Sequence, residues 1–443
     1  MTDLIIIGAG PGGYELALEA AKEGLEVILI EKEALGGTCL NYGCIPTKSY
    51  FKNALFLHGI KDATTYGVDV KSWDFDFKKV KERKDQVVSS LKKQIEFALK
   101  KLNVKTIYGK ARLVNKNQVE VNDEVYEAKN IVIAIGSKSK SLPIEGNDLM
   151  VDERYLLNID DLPKHLIIVG GGVIGIEFAS IFSTFNVKVS VVEYMDNILP
   201  NLDEELSKKI KLMLKKQGID IYNNALVTKV SEVNGEKIVL FKQKDKELSL
   251  QGDVVLKAVG RVGNLESLNL EDIGIETYKG FIKVDQDYQT NKEGIYAIGD
   301  CNGLSLLAHS ATFQGFHVLN RILERRSAID FNLIPSAIFT IPPIASIGLS
   351  EQDAKIKEIN YQVKKTFYKA NGKALAMNES DGFAKILIDD NNNIIGAHIL
   401  GAEADTIIHE VVALMNNKVK VNQIGEIIHA HPTLSEIILS LVR

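Results

Sequence analysis

Cysteine is nearly absent: the chain has three in 443 residues, at positions 39, 44 and 301. So few exclude a small secreted disulfide scaffold and fit a reducing compartment. Excess positive charge is absent too. Lys and Arg number 53 against 58 acidic residues, a net charge of -5, so no global basic field favours nucleic acid. No uninterrupted apolar run has membrane length. Leu166 to Phe185 comes nearest, but it holds Glu177 and four glycines. Leu4 to Ile7 is apolar, yet no basic residue precedes it and Asp3 and Glu15 flank it, unlike a signal peptide. We expect a cytoplasmic chain with no nucleic-acid or membrane partner. With 45% hydrophobic and 25% charged residues its composition is ordinary for a soluble globular protein, and its length suits about three domains.

What cysteine there is, is concentrated. The stretch Gly36 to Lys48 holds Cys39 and Cys44 with four residues between them. A bond closing so short a loop adds little stability, so the spacing suits a redox pair better than a staple. The thiolate is the reactive form, and a bonded pair can pass through a mixed disulfide. Two packed free thiols remain the alternative at this point, because reduced cysteine packs as a small hydrophobe.

Glycine marks two further sites. The apolar run Leu4–Ile7 reads as a buried parallel strand. Gly8, Gly10 and Gly13 follow as GxGxxG, then a helix from Tyr14 to Glu23, a strand Val27–Ile30, and Glu31 at its end. Such glycines permit a tight turn and close backbone approach to a pyrophosphate, the helix N-terminus favours the anion, and the acid accepts from a ribose hydroxyl. The unit then repeats. Leu166–Val169 leads into Gly170, Gly172, Val173, Ile174 and Gly175, a helix, the strand Lys188–Val192, and Glu193. Gly8 to Glu31 and Gly170 to Glu193 are both 23 positions, which implies two dinucleotide-binding domains. A duplicated scaffold with one dead site is the weaker alternative, since both copies keep every glycine and the acid.

Asn130–Ile135 ending at Gly136, and Asp253–Val259 ending at Gly260-Arg261, echo each other as strands that turn near a cofactor. The lysine-rich helix between Trp73 and Leu102 is most simply a solvated face. Gln118–Asn130 and Lys229–Leu250 read as small antiparallel additions. Gly294–Asp300 is a short strand ending on an acid, where ligands of a doubly wound sheet bind. Cys301 beside it reads as packing. Pro335, Pro342 and Pro343 mark a boundary. Strands at 361–368, 383–389 and 394–400 and helices at 404–416 and 422–428 then form an α+β unit. The expected fold is α/β, with two Rossmann-like dinucleotide-binding domains and a C-terminal α+β domain. Expected segments are 1–145, 146–265, 266–332 and 333–443. Near the end, Thr433 and Glu436 fit a capping box. Glu436 could equally orient His431 as a general base. His429 and His431 lack the companions of a metal site.

The motifs GGTCLNYGCIPTK (36–48), YAIGDC (296–301) and HAHPTLSE (429–436), with the two glycine fingerprints, resemble the flavin-dependent pyridine nucleotide–disulfide oxidoreductases. The resemblance spans nearly the whole chain and is strongest to the lipoamide-linked members. It implies FAD at the first fingerprint, with Glu31 on the adenosine ribose and Asp300 on the ribityl chain. Lys32, Gly37, Thr38, Gly109, Ala111, Gly136 and Ala308 would be further contacts. It implies NAD at the second fingerprint, with Val230 and Gly260 added to that motif. Lys48 would sit beside the reactive part of the flavin, paired with Glu177. Cys39 would meet the substrate, Cys44 would lie against the flavin, and the two would form a redox disulfide. His431, steered by Glu436, would be the base, supplied by the other subunit of a homodimer joined through the C-terminal domain.

Glu193 to Asp196 contains no arginine, and a carboxylate there repels a 2′-phosphate, so NAD is favoured over NADP. The implied reaction takes dihydrolipoamide and NAD+ to lipoamide and NADH. The implied partner is a lipoyl-bearing protein of a 2-oxo acid dehydrogenase or glycine cleavage system. Rival readings are an NAD(P)H-dependent reductase of another low-molecular-weight or protein disulfide, and a non-catalytic flavoprotein subunit. The chain departs from the family in two places. Ile341-Pro342-Pro343 stands where members often have His-Pro-Glu, and Ser310 where lipoamide-linked members commonly have lysine. Both bear on the substrate more than on the redox core.

Overall fold

The computed structural model describes residues 1–266 and 268–443. Its first part runs β1 (Thr2–Ile7), α1 (Pro11–Lys22), β2 (Val27–Glu31), α2 (Gly37–Tyr42), α3 (Cys44–Lys61), α4 (Phe77–Lys101), β3 (Lys105–Tyr108), β4 (Arg112–Asn115), β5 (Gln118–Val121), β6 (Glu124–Ile133) and β7 (Ser137–Ser139). The sheet has the order β3-β2-β1-β6-β5-β4. β1, β2 and β3 are parallel, and β5 returns antiparallel along the outer half of β6. Both faces of β1 are buried: Leu4 and Ile6 pack with α1, Ile5 and Ile7 with Leu113 and Val119. That two-sided burial is why the strand reads as an unbroken apolar run. α1 starts at Pro11, three residues before the expected Tyr14, because proline at the first helical position carries a pre-set φ. α4 is the expected lysine-rich helix, capped by the Asp76 carboxylate.

The second part runs α5 (Glu153–Leu156), β8 (His165–Val169), α6 (Val173–Thr184), β9 (Lys188–Val192), α7 (Glu204–Lys216), β10 (Asp220–Tyr222), β11 (Ala225–Val233), β12 (Glu236–Gln243), β13 (Lys246–Gly252), β14 (Val254–Lys257) and β15 (Arg261–Gly263). A parallel sheet β10-β9-β8-β14 is flanked by the antiparallel β11-β12-β13. The two halves share a core. Phe182 and Phe185 near the end of α6 pack with Tyr50 of α3 and Phe77 of α4. β7 and β15 pair across the halves.

The chain then returns to the first sheet through α8 (Leu270–Ile273), β16 (Thr277–Tyr278), β17 (Phe281–Ile282), β18 (Ile295–Ala297) and α9 (Ala308–Ile322). β18 lies parallel to the inner end of β6, Ile295 opposite Ile131. α9 crosses α1 closely: a Cβ on Gly12 would sit 3.0 Å from the Ala311 carbonyl oxygen. The last part comprises β19 (Ser336–Ile338), β20 (Ile344–Gly348), α10 (Glu351–Ile356), β21 (Gln362–Phe367), α11 (Gly372–Ala376), β22 (Phe383–Ile388), β23 (Ile394–Leu400), α12 (Ala404–Asn416), α13 (Val421–Ile424) and α14 (Glu436–Val442). Its antiparallel sheet has the order β19-β20-β23-β22-β21. The helix expected to reach residue 428 ends at Ile424. Ile428 beyond it is 96% exposed and buries no apolar face that would extend the helix.

Candidate active site

The two glycine fingerprints are the same object built twice. Gly8 has φ +104° and Gly170 φ +107°, in the region that favours glycine. A Cβ on Gly8 would fall 2.4 Å from the Ala134 oxygen, and one on Gly170 2.3 Å from the Ala258 oxygen. Each turn thus lies directly against the neighbouring parallel strand. Gly13 and Gly175 let α1 and α6 start against those turns. Their own Cβ atoms would lie 1.9 and 2.2 Å from the Gly8 and Gly170 oxygens. Neither helix has a side-chain cap or an acid in its first turn, so their first N–H groups remain available to an anion. Glu31 accepts from the N–H groups of Ala9 and Glu33, and Glu193 from those of Gly171 and Met195. Both acids therefore also brace the glycine turn.

Cys39 and Cys44 lie on either side of Gly43, which separates α2 from α3. Both sulfurs are free thiols in this structure. Cys44 opens α3, where the helix dipole favours a thiolate. The Cys39 thiol, hydrogen-bonded to the Cys44 sulfur, draws Cys44 down to about 7. Burial and the Glu177 carboxylate oppose this shift and Lys48 assists it. Cys39 is pushed up, first by its bond to Cys44 and then by burial. Lys48 lies one turn beyond Cys44 on α3. Its Nζ donates to both Glu177 oxygens on α6, each at 2.9 Å. Cys301 is different: it is fully buried, and burial pushes it up to about 12, as befits a packed thiol.

Asp300 sits on the short turn after β18. Burial raises its pKa, while the Ser137 hydroxyl, which donates to it, works against that shift. Arg261 holds the same corner through Ser137 and, at 2.7 Å, Glu153. Burial alone would push Glu153 up, but Arg261 holds it below the usual carboxylate range.

One continuous cavity of about 1880 Å³ joins these groups. Gly8, Gly10, Glu31, Lys32, Gly37, Thr38, Gly109, Ala111, Gly136, Asp300 and Ala308 line it on the first side. Gly172, Val173, Ile174 and Gly260 line it on the second, and Cys39, Cys44, Lys48 and Glu177 lie between. Gly13, Gly170, Gly175 and Glu193 sit behind the wall. Val230 does not reach the cavity. It is 1% exposed in the β11 core, and its N–H donates to the Glu145 oxygen at 3.0 Å.

His431 and Glu436 do not line the cavity either. His431 is an exposed side chain whose Nδ1 lies 3.0 Å from Glu436 Oε1. The other oxygen of Glu436 accepts from the Thr433 N–H at 2.8 Å. The carboxylate thus serves as half a capping box and as an imidazole orienter together. The box is not reciprocal, because Thr433 Oγ1 donates to the Ala430 oxygen and α14 opens only at Glu436.

Residues 2–315 match the pyridine nucleotide-disulphide oxidoreductase family, and residues 334–442 match its dimerisation domain. The chain belongs to this family. The dihydrolipoyl dehydrogenases of Chlamydia pneumoniae and Geobacillus stearothermophilus are 36% and 37% identical to it, each over 98% of this chain and 95% and 94% of theirs. A solved structure of the HOCl-induced flavoprotein disulfide reductase RclA from Escherichia coli has a TM-score of 0.89 at 30% identity, covering 99% of both chains. As a pyridine nucleotide–disulfide oxidoreductase the protein is an FAD disulfide oxidoreductase that uses NAD(H). The cavity fits that pair of cofactors. Gly10 and Gly172 at the two uncapped helix starts have open space where a Cβ would lie. None of its described helices is long and apolar enough to cross a membrane.

Three cavity neighbours escaped the sequence reading. Glu153 and Phe339 carry no motif around them. His309 does adjoin the noted Ser310; it lies in the first turn of α9, its Nε2 is 2.8 Å from the Pro335 oxygen, and burial lowers its pKa.

Proposed function

We propose that this oxidoreductase is a dihydrolipoyl dehydrogenase. Dihydrolipoamide and NAD+ become lipoamide, NADH and a proton. The observation that carries the reading is the unbroken cavity running from one fingerprint to the other past Cys39, Cys44 and the Lys48–Glu177 pair. In this reading residues 1–145 with 266–332 hold FAD, residues 146–265 hold NAD, and residues 333–443 form the interface of a homodimer.

Glu436 accepts from His431 Nδ1–H, which leaves Nε2 as the outward lone pair. In the dimer the His431 of a second copy takes a proton from one dihydrolipoyl thiol. That thiolate attacks Cys39 Sγ of the oxidised pair, the Cys39–Cys44 bond breaks, and Cys44 leaves as a thiolate. The second substrate sulfur then displaces Cys39, releasing the cyclic disulfide. The Cys39 thiol and the Lys48 cation support Cys44 as the stable thiolate, against burial and the Glu177 carboxylate. Bound FAD and NAD supply the two-electron relay that returns the pair to the disulfide. Glu193, and the absence of arginine up to Asp196, favour NAD over NADP. A lipoyl-bearing protein of a 2-oxo acid dehydrogenase or glycine cleavage system is the partner this chemistry fits.

The likeness to a disulfide reductase, with Ser310 and Pro343 at the departing positions, favours one second reading: reduction of another disulfide by NADH. Steady-state rates decide between them. The first reading expects rapid dihydrolipoamide oxidation with NAD+ and poor reduction of glutathione disulfide. No turnover of dihydrolipoamide would overturn it.

A further inference from the structure

The Lys48–Glu177 pair has a third partner from outside both nucleotide-binding units. β19 of the C-terminal sheet runs into Phe339, Thr340 and Ile341, and Phe339 lines the cavity. The Phe339 N–H donates to Glu177 Oε1 at 2.9 Å. Its ring lies under the Lys48 ammonium, 4.4 Å from Nζ to centroid. Phe51, on the same helix as Lys48, braces that ring edge-on at 5.5 Å. Two residues on, the Ile341 N–H donates to Ser180 Oγ at 3.1 Å, and the Ile341 carbonyl accepts from Gln217 at 2.7 Å. The segment is therefore pinned to α6 and the end of α7, while its ring reaches α3. The negative face of an aromatic ring attracts an ammonium, more strongly where water is excluded. Glu177 is 5% exposed and takes both the ammonium and the amide.

We infer that Phe339 is a positioning residue, whose ring and N–H together hold the Lys48 ammonium and the Glu177 carboxylate in register at the cysteine pair. The inference rests on the redox reading of Cys39 and Cys44 above. Its consequence is a mechanical link: the C-terminal unit, through one strand end, sets the charges that face Cys44. Those charges are Lys48 and Glu177, which act on Cys44 in opposite directions. A displacement of one relative to the other changes how readily Cys44 ionises. With the ring gone, the half-buried Lys48 ammonium loses the face that holds it and is screened by more water, so the thiolate is less favoured.

Three variants separate the parts of this argument. Phe339→Leu removes the ring and keeps the N–H. Phe339→Tyr keeps both. Phe339→pentafluorophenylalanine keeps the shape and inverts the charge of the ring face. The readout is the pH dependence of the thiolate-to-flavin absorption band in the two-electron-reduced holoenzyme, with FAD content as the check on folding. Leu and the fluorinated ring should raise the band's apparent pKa by about half a unit to one unit, a roughly three- to ten-fold smaller thiolate-to-thiol ratio. Tyr should leave it in place. If the Leu variant fails to retain FAD, the isosteric fluorinated variant decides alone. An unchanged apparent pKa in a variant that retains FAD and shows the band overturns the role of the ring. A missing band in the unsubstituted enzyme overturns the reading of the cysteines instead.

Discussion

At the scale of single residues, the two cysteines differ more in surroundings than in position. Cys44 begins a helix, faces Lys48, and receives the Cys39 thiol as a donor; its pKa is drawn to about 7. Cys39 gives that hydrogen bond and is itself pushed up by doing so. The asymmetry makes opposite predictions for two conservative changes. Cys39→Ser should show the long-wavelength thiolate-to-flavin band without any added reductant, because Cys44 is then free and still beside Lys48. Cys44→Ser should show none at any pH. A sign follows for the pH titration of the Cys39→Ser protein. Serine is a weaker acid than cysteine but still donates, so the band should persist near neutral pH. In Cys39→Ala the donor is gone, and the thiolate should form only as pH rises well above about 7. Equal titrations of the Ser and Ala variants would show that the hydrogen bond contributes nothing.

At the scale of elements, a buried ion cluster joins the second and last parts of the chain. Lys385 of β22 is fully buried and donates to Asp203 at 2.6 Å, Glu351 at 2.7 Å and Glu205 at 3.3 Å. Asp203 also caps α7 and accepts from the Glu351 N–H that opens α10. Burial alone would push Asp203 up, but Lys385 holds it below the usual carboxylate range. Burial alone would push Lys385 down, but Asp203 and Glu351 hold it above its usual range. Lys385→Met strands a buried carboxylate and should cost about 3–5 kcal/mol near neutral pH. The sign with pH is fixed. A depressed carboxylate stabilises the fold above its unfolded pKa, and that contribution is lost as pH falls through its folded pKa. Without Lys385 the desolvated Asp203 is raised instead, so protonation relieves it. Denaturant unfolding should therefore show a large deficit near neutral pH that shrinks as pH falls toward about 4. None of this was legible in the sequence, because Lys385, Asp203 and Glu351 are far apart along it and no local pattern marks them. The glycine units were legible for the opposite reason. Gly8, Gly13, Gly170 and Gly175 each answer a contact within a few residues or with the adjacent strand, so spacing alone reveals them. The return of β18 to β6 and the arrival of Phe339 at Glu177 are contacts across more than 160 residues, and a lone phenylalanine between Ile338 and Thr340 looks like ordinary strand packing. Val230, expected at the second cofactor site from resemblance alone, packs in the β11 core and does not line the cavity.

At the scale of the whole molecule, one chain holds all the proposed parts but does not assemble them. Cys39 lines the cavity, whereas His431 lies on an exposed turn with its Nε2 directed away from Glu436. Residues 334–442 match a dimerisation domain, so a second copy is the natural source of the missing base. Subunit mixing tests this directly. Cys39→Ser and His431→Gln should each abolish dihydrolipoamide oxidation as separate preparations. Their mixed dimer has one site that lacks both groups and one that has both, if the base crosses between subunits. Random re-pairing makes half the dimers mixed, so activity should recover to about a quarter of the unsubstituted level. If His431 served the Cys39 of its own chain, every site in every dimer would lack one group and mixing would restore nothing. Both variants leave Glu436, the glycine units and the Lys385 cluster untouched, so each should keep FAD and pair normally. A mixed dimer isolated with two affinity tags and still inactive would show that the base does not cross between subunits.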